Sequence, residues 1–448
     1  MCANFQNRIG QLNYLLFLLL LMVLPYHWRL IQYVWIAWMI SWVLEGRWLH
    51  KPVLDADRKK GLVLYIGLVV WLLWEMLSSL WSLSPASTWA QVGRHINLAV
   101  MIIPALWGVN QHYNKTTILR TLVLSGIASV VVYMMLRLWI PNYAIAINKW
   151  ETFNYDVIDP WGFHFYRNID WLHMDDLLFT IKHRLYYTVF LAMSIAAAWC
   201  LRHEWAQRYG KALAGVFVAL TTIVLSVTVY WTGSRAGLIN LIVLAALALI
   251  TAVKGWRRWV VAGSTIVVTA AVLVGLIHFH PRFQLLQHDN LLSLFSFDAQ
   301  DVTNTAADPR IAIWHTALES PKDYLCHGIG AGCTAEYLTH HYEQYGWTEY
   351  VQHRYNSHNQ VLCEAIELGG LAALLFLALW CAFPLTQKKS ARRGALYVST
   401  ILVLSMMTEN FLSGIEGIVT VCVALLLVQI NVSSPALPSA TATCHEAH

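Results

Sequence analysis

Apolar runs of roughly 16 to 26 residues, bounded by clusters of charge, recur along the whole chain, and that is the length that crosses a hydrocarbon core of about 30 Å. Water is absent from such a core, so each run must pair its own backbone N–H and C=O groups, as a helix does. Composition agrees: 58% of the 448 residues are hydrophobic and 12% charged, against about 25% charged in an ordinary soluble chain. Cytosolic enzymes, nucleic-acid binders and disulfide-scaffold secreted domains are thereby excluded. The expectation is an all-α polytopic membrane protein with about twelve transmembrane helices.

The spans read as 11–25, 30–45, 61–83, 95–109, 117–140, 185–201, 212–231, 237–253, 259–279, 359–384, 395–412 and 417–431. The first run resembles a signal-peptide core, but no small-x-small cleavage site follows it, so it is read as a span. Orientation follows the Lys and Arg residues. Clusters such as Arg58-Lys59-Lys60, Arg202 to Lys211, Lys254 to Arg258 and Lys388 to Arg393 share one side if the N-terminus is inside, and short connections on the other side hold only Arg29, Arg94 and Arg235. Both termini are therefore expected in the cytoplasm. The chain divides into 1–279, with nine spans and an outer loop over 141–184, a large outer loop over 280–357, three spans over 358–431, and a short tail over 432–448.

Two outer connections, 141–184 and 280–357, exceed the length of ordinary turns, and loops beyond about 15 residues are usually functional or disordered. Aromatics such as Trp314, Tyr337, Tyr342, Trp347 and Tyr350 favour a folded, mostly helical cap in the second. Cys326 and Cys333 lie in it, where an oxidising compartment permits a disulfide and two unpaired thiols are the equal alternative. No Cys-x-x-Cys pattern suggests a metal site, and none is expected.

Within the cap, Asp308-Pro309-Arg310 begins a short helix, Asp as cap and Pro at the first position, that should end near Ser320-Pro321. The Gly328-Ile329-Gly330-Ala331-Gly332 run lacks a preceding strand, so turn geometry is favoured over phosphate contact. Ser357-His358-Asn359 stands where the loop meets the next apolar run. With Ser357 as cap, His358 would occupy the first helical turn, where the helix's positive end favours a neutral, proton-accepting ring. An interfacial histidine that merely reaches water fits the position equally well.

Thr232-Gly233-Ser234-Arg235 is a tight outer turn, and an arginine so near hydrocarbon calls for an anionic partner. Guanidinium forks suit phosphate or diphosphate, which makes Arg235 and Arg310 candidates; headgroup or carboxylate pairing is the alternative for each taken singly. Arg184, in Lys182-His183-Arg184-Leu185-Tyr186, either joins that anion site or anchors its helix. Glu75 and Arg137 fall inside apolar spans, where a functional role, a structural pair or snorkelling all remain open.

These segments resemble the O-antigen ligase and polymerase superfamily of bacterial envelope glycosyltransferases. His358-Asn359, nine residues, then Gly369-Gly370 follow the family's His-[Asn/Ser/Gln]-x9-Gly-x-x-[Gly/Thr/Tyr] pattern, with Ala372 in place of its last element. Gly-Ser-Arg235-Ala-Gly resembles the family's Ser-Arg turn, and Arg310-x-x-x-Trp314 with Pro321 and Gly328-Ile-Gly330 resembles its loop segment. His-Arg184-Leu-Tyr resembles the segment before the sixth span, so the likeness covers about 180 to 385. It implies a GT-C-like fold in the cell inner membrane and glycan transfer at the periplasmic face from an undecaprenyl-diphosphate carrier, without cofactor or required metal. His358 would be the base, and Arg235 and Arg310 would hold the diphosphate. Arg184, Asn359, Trp314 and Ser234 would bind substrate among the membrane lipids. Lipid A core is the expected acceptor; a second carrier-linked repeat (polymerase) or a protein Ser or Thr is the alternative. A transporter also suits twelve spans, yet the halves show no self-similarity of the kind transporters carry.

Overall fold

The computed structural model describes residues 2–49, 51–52, 56–146, 183–279 and 309–433. Most of the expected loop 141–184, the first part of loop 280–357, Asp308 and the tail after 433 lie outside the described residues. Among the described residues there is no strand.

The long helices are α1 (Cys2–Val23), α2 (Trp28–Leu44), α3 (Val63–Ser78), α4 (Pro85–Val100), α5 (Lys115–Ala146), α6 (Arg184–Tyr209), α7 (Lys211–Trp231), α8 (Arg235–Ala252) and α9 (Arg257–Phe279). The cap contributes α10 (Pro309–Glu319), α11 (Thr334–Gln344) and α12 (Thr348–His353). The chain then returns as α13 (Gln360–Leu368), α14 (Gly370–Thr386), α15 (Arg392–Met406) and α16 (Ile415–Ser433). Five helical segments, Lys59–Ser78, Lys115–Met135, Arg184–Tyr209, Lys211–Trp231 and Arg235–Ala252, are long and apolar enough to cross a membrane. The chain is thus a multi-pass membrane protein.

Burial sorts the helices. A helix apolar on every side belongs in the centre of such a bundle, and α6 and α16 are buried all round, from Leu185 to Ala198 and from Ile418 to Ile430. α16 packs on α2, α4, α6 and α15, while α6 also packs on α5 and α7. α7, α8 and α9 keep broad apolar faces exposed, Leu220, Ile223, Leu249 and Ile266 among them, as lipid-facing helices do.

The expected span 359–384 is instead two helices, broken at Gly369, which adopts φ +98°. A side chain there would lie 2.9 Å from the Cys326 carbonyl, so the break is filled by the cap itself. The glycine run docks on the broken end: Ile329 and Gly330 donate their N–H groups to the Ile366 and Glu367 carbonyls, each at 3.0 Å. A Cβ on Gly328 would meet the Glu367 carbonyl oxygen at 2.1 Å. Close backbone packing therefore accounts for the run. The rest of the cap encloses its own core of Ala312, Ile313, Tyr324, Leu338, Tyr342 and Trp347. Cys326 and Cys333 are both free thiols, exposed and buried respectively.

Candidate active site

His358 ends the cap and precedes α13. The cap residue of α13 is Asn359, whose side chain accepts from the Leu362 N–H at 3.1 Å, so Ser357 does not cap the helix and His358 stands outside its first turn. Asn competes well for a cap position, which explains the shift by two residues. His358 itself takes φ +44°, a left-handed conformation that costs a non-glycine residue about 1–3 kcal/mol and that the surroundings must enforce. They do so through Asn356, whose Oδ1 accepts the His358 N–H at 3.0 Å, and through Asn410. The Asn410 Oδ1 accepts both the Ser357 hydroxyl (2.8 Å) and the Asn359 N–H (2.9 Å).

The helix end thus does not set the chemistry of this ring; a carboxylate does. His358 Nδ1 lies 2.6 Å from Glu409 Oε1, and Arg310 Nη2 lies 3.3 Å from Glu409 Oε2. Glu409 is nearly buried, in the short connection between α15 and α16. Burial pushes its carboxyl up, but the hydrogen bond and charge of His358, with the charges of His183 and Arg310, outweigh burial and hold it down at about 2. Ionised, it accepts the Nδ1–H and fixes the tautomer in which Nε2 carries a lone pair, the arrangement required of a general base. His358 remains about a quarter exposed, so the ring is supported from behind and open in front.

Arg310 is the second residue of α10, as the Pro309 signal predicts, and one of the five N–H donors of its guanidinium reaches Glu409 Oε2. Trp314, one turn later, donates its indole N–H to the Ser357 carbonyl at 2.8 Å, holding the strand of chain that presents His358. His183, next to Arg184 at the start of α6, feels Glu409, His358 and Arg310. Burial, together with the neighbouring cations, outweighs the pull of Glu409 and brings the ring down to about 4. Arg184 therefore lies beside the same cluster.

Arg235 opens α8, with Ser234 capping the helix by accepting the Gly237 N–H at 3.1 Å. Ser234 is buried, and its hydroxyl is used in the cap. The start of α8 sits against the start of α6, since a side chain on Gly237 would press on Thr188 at 2.7 Å, and Tyr186 of α6 packs against Phe411 at 5.0 Å between centroids. Arg235 thus belongs to the same end of the bundle, one helix away from the His358, Glu409 and Arg310 triad. Of the two ionisable residues inside apolar spans, Glu75 is paired; the side chain of Arg137 lies outside the described residues.

Beneath the site a second polar layer holds the Glu409 connection in place. The Leu412 N–H donates to Gln360 Oε1 at 2.9 Å, and the Leu412 carbonyl accepts from His95 Nε2 at 2.9 Å. His95 Nδ1 is 2.7 Å from Glu75 Oε1, both side chains being fully buried. Among the described residues no group of His, Cys, Asp and Glu is placed to hold a metal ion.

Residues 220–377, from mid-α7 to mid-α14, match the family model described as O-Antigen ligase. This stretch, about a third of the chain, is similar to that family's domain. The family covers O-antigen ligases and polymerases, enzymes that transfer glycans from lipid-linked substrates. Among curated proteins, none matches the chain. The ligase-family segment contains Arg235, Arg310 and His358, whereas Arg184, His183 and Glu409 lie outside it.

Proposed function

We propose that the protein is an O-antigen ligase of the inner membrane, transferring a glycan from undecaprenyl diphosphate to lipid A core at the periplasmic face, with inversion. The observation that carries this reading is the hydrogen bond between His358 and Glu409, with Arg310 on the other carboxylate oxygen. His358 Nε2 takes the proton of the acceptor hydroxyl as that oxygen bonds to the anomeric carbon. The bond from that carbon to the diphosphate oxygen breaks, and undecaprenyl diphosphate leaves with the electron pair. Arg310 and Arg235 meet the charge that develops on it, with Arg184 assisting, and fixed cations at such a position stabilise the transition state without reorganising. The diphosphate is already an activated leaving group, so the reaction draws on no nucleotide.

The polymerase reading is kept by one residue, Ala372, where the ligase pattern carries Gly, Thr or Tyr. A deletion strain separates the two: bare core with accumulated carrier-linked polymer supports the ligase, core bearing one repeat supports the polymerase, and an unaltered lipopolysaccharide profile removes both. Purified protein given carrier-linked glycan and core lipid should form product without ATP or added divalent cation, and His358→Ala should abolish it. Near-full rate in that variant refutes the assigned base.

A further inference from the structure

At the end of the bundle away from His358, the helices leave a cavity of about 1260 Å³. Arg202 stands 18 residues after Arg184 on the same helix, which places this cavity about 27 Å from the site along α6. Its rim is cationic: Lys115 at the start of α5, Arg202 and His203 late in α6, Lys211 at the start of α7, and Lys389 and Arg393 at the turn into α15. Among the described residues, no Asp or Glu lines it. The nearest acid on α6, Glu204, is engaged by Arg120 and by the Thr116 hydroxyl on α5. Among the described residues, none of the five Lys and Arg side chains on the rim is in an ion pair.

Five permanent cations around one mouth repel each other, and they remain together at low cost only when an anion is shared among them. Below the rim the character changes. Trp199, Val218 and Leu249 line the interior, and Ile223 and Leu249 continue from the cavity wall to the exposed lipid-facing surface of α7 and α8. An occupant is therefore anionic at one end, apolar at the other, and able to run out sideways into the bilayer. The volume exceeds the roughly 300–1,000 Å³ typical of small-molecule sites. Basic pockets between membrane helices take anionic lipid headgroups for these reasons.

We infer that this cavity binds an anionic two-chain phospholipid, its phosphate among Arg202, Lys211, Lys389 and Arg393 and its acyl chains along Trp199, Val218 and Leu249. The occupant is a resident lipid, distinct from donor and acceptor, and the inference stands independently of the transfer reaction.

The full-length protein, delipidated in a zwitterionic detergent and exposed to mixed micelles of phosphatidylglycerol and phosphatidylcholine, provides the test by native mass spectrometry. Retention of phosphatidylglycerol at least about tenfold above phosphatidylcholine is expected, since basic residues attract anionic headgroups. The double variant R202E/R393E should retain both lipids equally. Charge reversal also bears on the fold, so Gly215→Leu is the second variant: its side chain enters open space at the cavity wall, where no atom lies within 4 Å, and a leucine favours the helix. That variant should stay folded and lose the bound lipid. Equal retention of the two lipids by the unaltered protein, or undiminished phosphatidylglycerol in folded G215L, overturns the inference. Displacement of phosphatidylglycerol by millimolar inorganic phosphate also overturns it, because the rim alone would then suffice.

Discussion

Glu409 and His358 meet although 51 positions separate them, and the consequences are testable residue by residue. Glu409→Gln keeps the shape of the side chain but not the charge that holds the Nδ1–H. It should lower kcat by about 10²–10⁴-fold, the usual worth of positioned acid–base catalysis, with KM little changed. Arg310→Ala and Arg235→Ala should each cost about 10²–10³-fold in kcat, as loss of one charge-stabilising donor does. Acidity offers a second probe. His183, lowered to about 4 in the fold from an ordinary 6.5, binds its proton more readily when unfolded, so its contribution to stability is present above pH 6.5 and is lost as pH falls toward 4. Glu409, lowered to about 2 from 4.5, contributes fully above pH 4.5 and loses that contribution as pH falls toward 2. Thermal melts in detergent should therefore decline in two steps, and His183→Gln should flatten the first while leaving the second. Of the site, His358, Arg310 and the neighbourhood of Arg184 were legible in the sequence, because each stands at an outer boundary of an apolar run or follows a strong helix-start signal. Glu409 was not: it falls near the end of the expected span 395–412, and nothing in the local sequence points it at a histidine three helices earlier. The cap residue was misassigned because Ser357 and Asn359 are both good caps, and the choice between them is settled by Asn410, which lies far along the chain.

At the scale of the element, helix ends were readable wherever charge changes sharply, as at Arg184, Lys211 and Arg235. The break at Gly369 was missed because the apolar run continues through it. Glu364 and Glu367 inside that run were the available signal, since two acids within about one and a half turns of a Gly-Gly pair do not suit an uninterrupted span. Both are satisfied in place: Glu364 by Trp71 (2.8 Å) and Gln360 (2.8 Å), and Glu367 by Gln91 (2.6 Å) and Thr334 (2.7 Å). The same tight docking makes Gly328 intolerant of change. Gly328→Ala puts a methyl group against the Glu367 carbonyl at a φ of +76°, and backbone strain of this kind costs about 1–3 kcal/mol. Its melting temperature should drop while Gly346→Ala, which has open space around it at a similar φ, should lose less.

At the scale of the molecule, the buried pair of Glu75 and His95 joins α3 and α4 to the connection between α15 and α16, and so ties the first third of the chain to its last. Leaving one member of such a pair alone in the interior costs about 3–5 kcal/mol. Glu75→Ala should therefore shorten the half-life of the folded protein in detergent markedly, whereas exposed Glu343→Ala in the cap should leave it unchanged. Composition alone carried the class of the fold, and the lengths of the apolar runs carried its multi-pass character. Which helices occupy the centre was not readable, since α6 and α7 are both apolar and only packing distinguishes buried from lipid-facing.

The interruption at Gly369 also fixes where this protein can be cut and recombined. α13 is held by the glycine run on one side and by the Asn410 and Gln360 contacts on the other, so it is the seat on which the cap docks. A chimera that exchanges lids between two such proteins should be joined inside the apolar run, after residue 369. A splice made at the hydrophobic boundary before Gln360 would separate a graft from its own foundation.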